Sequence, residues 1–160
     1  MKFAGEITVK ARRDAVFAAL TDANVFASLI DGVSDLTPRG DHQFDAVLET
    51  KVAYMSFKFK VTVEFTQITP PHEIAAKIEG APLGLVGRLT ATTITRLIES
   101  GEETRIQYEI DTTLTGKLGS IGQPVMKAKA REMEKQFAKN LQARFDTTAA
   151  VAAVTPAAAV

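Results

Sequence analysis

Cysteine and tryptophan are both absent from the 160 residues, and histidine occurs only twice. Without cysteine there is no disulfide, thiolate nucleophile, iron–sulfur cluster or Cys-ligated zinc, and a reducing compartment, the cytoplasm, is the expected location. His42 and His72 stand apart beside turn residues, with no HExxH or comparable ligand spacing. No metal site and no resident cofactor are therefore expected. An excess of one charge is also missing, since 19 Lys plus Arg balance 19 Asp plus Glu. That balance gives no electrostatic case for nucleic-acid binding by the whole chain. Long apolar runs are lacking too: the longest uncharged stretch, 147–160, falls short of the ~18 apolar residues that span a bilayer. Met1–Glu6 has no run of signal-peptide length before its first acid, so secretion is not expected and the mature chain is expected to start here.

Catalytic signatures are equally sparse. None of the serines sits in G-x-S-x-G. The run from Gly80 to Gly87 contains G-x-x-x-G-x-x-G, but no Lys-Ser/Thr follows and a strand comes next, which argues against a phosphate cradle. Two readings fit this run: a plain hairpin loop, or an apolar rim with Leu83, Leu85 and Val86 over a cavity.

What is present is an ordinary globular composition, 46% hydrophobic and 24% charged, in a length that suits one domain. The stretch 146–160 is nearly all Ala, Val and Thr with one Pro and lacks large apolar groups. It is expected to be a flexible tail, or at most a frayed helical extension, behind a domain over 1–145.

Within 1–145 the period of the apolar residues changes twice. Phe3, Gly5, Ile7 and Val9 alternate as a strand, and then Val16, Phe17 and Leu20 share a helical face. Asp22 is placed to cap a second short helix carrying Phe26, Leu29 and Ile30. Strand signals return from Val33 to Thr115, broken at Pro38–Gly40, Pro70-Pro71, Gly80–Gly87 and Ser100-Gly101. The clearest is Ser56–Thr66, where Phe57, Phe59, Val61, Val63 and Phe65 alternate with polar residues, one dry face and one wet. Asp45, Glu49, Glu64, Glu109 and Asp111 fall on the wet parity, the wrong place for a general acid or base.

From Ser120 to Phe145 the period is helical again, a rod of ~39 Å. Leu118, Gly122, Val125, Met126, Ala130, Met133, Phe137 and Leu141 fall in one arc, and Lys127, Arg131, Lys135 and Lys139 lie opposite. Lys129 lies within the apolar arc, where a snorkelling stem accounts for it. Residues 117–145 hold seven cations against two carboxylates, so this segment carries +5 and the rest of the chain −5. The cationic face is either a docking strip for anionic lipid or an acidic partner, or a solvated surface.

The order is one strand, two short helices, about six antiparallel strands, then a long helix. This is an α+β fold of about seven strands in which a curved sheet grips the C-terminal helix. The inward positions Ala91, Thr93 and Thr95 are small or polar, which predicts a space between sheet and helix. Tyr108 and Thr93 would supply hydroxyls there, to orient a carbonyl-bearing ligand or to bond to protein.

The local sequence resembles the G-subunit family of carbon monoxide dehydrogenase, within the START-like, polyketide cyclase-like helix-grip superfamily. The residues that carry the likeness are Met1–Ile7, the turn Leu29-Ile30-Asp31-Gly32-Val33-Ser34, Phe44-Asp45-Ala46, and Thr115–Gly122 leading to Gln136-Phe137. The chain has Asp31, Phe17 and Arg12 where the family commonly has Pro, Trp and Pro. The resemblance implies a non-catalytic accessory protein that binds a hydrophobic small molecule, a quinone or lipid. It further implies association with a molybdenum-containing dehydrogenase and with the inner membrane face. The expected cavity residues are Phe26, Ile30, Phe44, Leu48, Phe57, Phe59, Leu83, Leu85, Thr93, Tyr108, Ile110, Met126, Ala130, Met133 and Phe137. The alternatives are a cyclase or dehydratase of the same fold, with Tyr108 as its inward acid or base, and a pure interaction module.

Overall fold

The computed structural model describes residues 1–159, with side chains through Asp146. From residue 147 on, the tail expected over 146–160 lies outside the residues whose side chains are described. Strand β1 (Lys2–Val9) is followed by helices α1 (Arg13–Thr21) and α2 (Ala23–Ser28). Six strands come next: β2 (Val33–Pro38), β3 (Gln43–Val52), β4 (Met55–Thr69), β5 (Glu73–Pro82), β6 (Gly87–Ser100) and β7 (Glu103–Gly116). A short 3-10 turn (Lys117–Ile121) leads into α3 (Gln123–Ala159).

The helix pair forms where the apolar pattern places it. Val16, Phe17 and Leu20 of α1 are buried, and Asp14 sits in its first turn, where a carboxylate favours the helix dipole. Asp22 ends α1 and caps α2, its Oδ1 accepting from the backbone N–H groups of Asn24 at 3.0 Å and Val25 at 3.2 Å. Helix α2 stops at Ser28, so Ile30, expected on that helix, lies in the turn that follows.

All seven strands pair antiparallel in the order β1-β7-β6-β5-β4-β3-β2, leaving β1 and β2 at the edges. The register carries one apolar face across the sheet. Phe3 opposes Ile110, Ile110 opposes Thr93, Thr93 opposes Ala76, and Ala76 opposes Phe65. A second row runs Thr112, Ala91, Ile78, Val63, Phe44. Small side chains therefore occupy the middle of the inner face, at Ala76, Ala91 and Thr93. Gly80 belongs to β5 and not to the loop where the Gly-rich run suggests a turn, because it continues the inward row opposite Leu89 and Val61.

Gly116 shows why the turn into α3 needs glycine. Its φ is +65°, and a Cβ there would come within 2.6 Å of the Val86 carbonyl and 2.7 Å of Gly87 Cα. The 3-10 turn then tucks Leu118 into the interior and directs α3 back under the sheet. The helix starts at Gln123, three residues later than the periodicity places it, because this turn interrupts the pattern.

The packed core lies at one end of the grip. Ile7, Val9, Val16, Phe17, Leu20, Leu29, Ile74, Leu97, Ile106 and Leu141 form it, with Phe26, Tyr108 and Phe137 partly buried against it. Thr104 is fully buried there and donates its hydroxyl to the Ala11 carbonyl at 2.8 Å. Asn140 ties α3 to the turn after α2, donating to the Leu29 carbonyl at 2.9 Å and to Asp31 at 3.1 Å. No helix among the described residues is long and apolar enough to cross a membrane.

Candidate functional site

Helix α3 packs its backbone mainly against β1 and β3, on opposite sides of the sheet. Only Leu141, at the core end, is buried among the described side chains of α3; Val125, Met126, Ala130 and Met133 are half-buried although they face the sheet side. A core helix in full contact would bury such residues. Near the start of α3 an open cleft of about 550 Å³ is lined by Lys51, Ala53, Pro124, Val125, Ala128, Lys129 and Glu132. Lys129 has its side chain only 12% exposed, running along the cleft wall to an ion pair with Glu132 at 3.7 Å. This fits the snorkelling stem expected of it.

The expected cavity residues do not all come together. Phe26 and Phe137 meet each other with ring centroids 6.0 Å apart and pack on the core, which makes Phe137 a member of the packed end of the grip. Phe44, Leu48, Phe57, Phe59, Thr93 and Ile110 sit on the inward parity of β3, β4, β6 and β7, with Phe57 and Phe59 stacked at 5.8 Å and Met126, Ala130 and Met133 on α3. Ile30 is half-buried in its turn. Leu83 and Val86 stand at the tip between β5 and β6, 48% and 79% exposed, while Leu85 is half-buried. All three lie in the connection between β5 and β6.

Tyr108 reaches across to the helix. It projects from β7 beside Gly5 of β1, its cross-strand neighbour, and its hydroxyl donates to Glu134 of α3. The phenolic proton is thereby committed to protein, the second of the two roles expected of that hydroxyl. Burial first, then the hydrogen bond and the charge of Glu134, push the Tyr108 pKa well above the ordinary phenol value. Gly5 is necessary to this meeting, because a Cβ on it would collide with both the Glu134 carboxylate and the Tyr108 ring. Glu134 is not among the site residues expected from the sequence. The pattern gives little signal for it: at 100° per residue it falls about 20° beyond Leu141, at the border between the apolar arc and the cationic side.

The remaining titratable groups give no second centre. Among the described residues no three His, Asp or Glu side chains gather to hold a metal ion. His72 Nδ1 lies 3.3 Å from an Arg13 guanidinium nitrogen near a turn, and the carboxylates of β1, β3 and β5 pair with neighbouring cations such as Arg105 with Glu6 and Lys58 with Glu49. Lys127, Arg131, Lys135 and Lys139 all lie exposed along the outer side of α3.

Solved structures share this architecture. A conserved protein from Geobacillus kaustophilus is similar over 92% of this chain and 97% of its own, with a TM-score of 0.85 and 23% identity. A START superfamily protein from Mycobacterium smegmatis is similar over 92% of this chain and 98% of its own, with a TM-score of 0.67 and 14% identity. The Zhui aromatase/cyclase from Streptomyces sp. R1128 matches over 90% and 92% at a TM-score of 0.66 and 13% identity. No curated protein matches the chain. At these identities the likeness defines the fold, a START-like helix grip. The sequence model for the G subunit of carbon monoxide dehydrogenase (CoxG) matches residues 5–145, and the chain belongs to that family.

Proposed function

We propose that this protein is a non-catalytic carrier that holds a hydrophobic small molecule between α3 and the curved sheet. The observation that carries this reading is the incomplete burial of the apolar side of α3. Met126, Ala130 and Met133 stay half-buried, while the inward face of the sheet carries small side chains at Ala76, Ala91 and Thr93. Small groups on one wall and adaptable methionines on the other suit an apolar occupant of variable shape. A quinone or a lipid is the ligand class that family membership favours. The same membership supports service to a carbon monoxide dehydrogenase-like molybdenum hydroxylase as the accessory role.

Native mass spectrometry of freshly purified protein, followed by organic extraction of any adduct, tests the carrier reading. A stoichiometric apolar adduct, displaced by a quinone-like probe, is the expected result. Protein that neither retains nor takes up any lipophilic molecule would remove the proposal.

One observation favours a second reading, a cyclase- or dehydratase-like enzyme on a hydrophobic substrate: a phenol and a carboxylate meet on the inner face at Tyr108 and Glu134. A general acid works best with a pKa near the operating pH, and the Tyr108 pKa is displaced in the other direction. The carrier reading is preferred for that reason. Conversion of an extracted ligand during incubation with wild-type protein, lost in Tyr108→Phe, would reverse the preference.

A further inference from the structure

We propose that Lys129 anchors the head group of an amphipathic ligand in the cleft at the start of α3, its ammonium donating to acceptor oxygens, those of a carboxylate or of a quinone-type carbonyl. The proposal deepens the carrier reading and rests on it.

Lys129 is the most covered cation that makes an ion pair among the described residues, its side chain 12% exposed against 24% for the next, Arg13. Covering an ammonium is costly unless its donors are met. Those of Lys129 are not. Its Nζ lies 3.7 Å from Glu132, beyond the ~3.2 Å reach of an N–H···O bond, and no hydrogen bond to it is present among the described residues. Glu132 is itself 57% exposed, so its carboxylate can turn to water when a ligand arrives. Lys51, from β3, is exposed and makes no ion pair among the described residues. The rest of the lining, Ala53, Pro124, Val125 and Ala128, has apolar side chains. Two ammonium groups against one carboxylate leave the cleft electropositive and rich in donors.

Helical spacing ties this head site to the apolar side of α3. Residues three and four apart are neighbours on a helix. Lys129 therefore stands between Val125 and Glu132 of the cleft and Met126 and Met133 of the apolar arc. A ligand whose head takes the ammonium can lay its tail beside the half-buried methionines. A carboxylate head gains a charge-assisted bond, about twice as strong as a neutral one, and a carbonyl head accepts from the same donors. A cationic head has no acceptor to offer and meets like charge.

The test uses three probes of similar chain length, decanoate, methyl nonyl ketone and decyltrimethylammonium, titrated into the full-length protein near neutral pH. The expected order has decanoate about tenfold tighter or more than the ammonium probe, with the ketone between them. Lys129→Met keeps an apolar stem and removes the donors, so affinity for decanoate should fall about tenfold and for the ketone about threefold. Lys10→Met removes the same charge from an exposed position near Gln142, at the packed end of the grip, and should change each affinity by less than about twofold.

A loss for decanoate in Lys129→Met assigns the anchor to anionic lipid heads, and a loss confined to the ketone assigns it to neutral quinone-type carbonyls; either supports it. Equal wild-type affinities for the three probes, unchanged decanoate and ketone binding in Lys129→Met, or an equal loss in Lys10→Met each overturn the anchor and leave the carrier reading standing. Failure of all three probes to bind removes both. Where Lys129→Met does not fold, Glu132→Gln at its exposed position decides: freeing the ammonium should tighten the favoured head about threefold or more, and unchanged affinities overturn the anchor.

Discussion

Tyr108 of β7 donates its phenolic proton to Glu134 of α3, and the two meet in the space that Gly5 leaves by having no side chain. Three elements, β1, β7 and α3, are therefore adjusted to one another at a single point. Gly5→Ala should force the pair apart or shift β1, an overpacking defect of roughly 1–3 kcal/mol. Urea denaturation of the variant against wild type measures it, and equal midpoints would show that the pair parts without cost.

The same pair predicts behaviour in alkali. The folded state holds the Tyr108 proton more tightly than the unfolded chain does, first through burial and then through Glu134. Its contribution is fully present below the ordinary phenol value of 10.0 and is lost as the pH climbs beyond that value. Melting temperature should accordingly fall faster above this pH in wild type than in Tyr108→Phe.

Period and parity make much of this fold legible in the sequence alone. The alternation of Phe57, Phe59, Val61, Val63 and Phe65 appears as the inward row of β4, and the capping geometry of Asp22 places α2 as the spacing requires. The departures have physical causes. Gly80 reads as a turn residue in isolation, yet the inward row opposite Leu89 holds it in a strand. Phe137 reads as one more residue of the apolar arc, and only the approach of Phe26 from α2 assigns it to the packed end. Glu134 is hidden in the sequence because a charge on a long helix is by default a solvated one, whereas its partner Tyr108 comes from another element. Asp31, a departure from the family's usual proline, gains an account in the structure as an acceptor for Asn140.

Phe137 and Met133, one turn apart on α3, should respond differently to truncation. Phe137→Ala removes a ring from the core and should cost about 3 kcal/mol or more. Met133→Ala, at a half-buried position, should cost about 1 kcal/mol or less if the space it borders is already open. Met133→Trp should leave the fold intact and abolish uptake of naphthol and methylnaphthalene alike. Chemical denaturation and probe titration on the same three variants provide the check, and a Met133→Ala loss as large as that of Phe137→Ala would mean that the grip is packed solid there.

The outer side of α3 supports a prediction about docking. Lys127, Arg131, Lys135 and Lys139 are exposed along one stripe of a segment that carries +5 over residues 117–145. A chain neutral overall thus has an uneven charge distribution, and the proposed role of its cationic stripe is to dock an acidic protein surface or anionic lipid. Such attraction is screened as the Debye length shrinks from ~10 Å at 0.1 M salt to ~3 Å at 1 M. Co-sedimentation with anionic vesicles and pull-down of a molybdenum dehydrogenase should each be measured across that range. Binding to one of the two should weaken with salt and disappear when all four residues are changed to Glu, and the target that shows both effects is the docking partner. Exposed charges on a long helix that serve only solvation would leave both assays unchanged on reversal, and that outcome would assign the stripe to solubility alone.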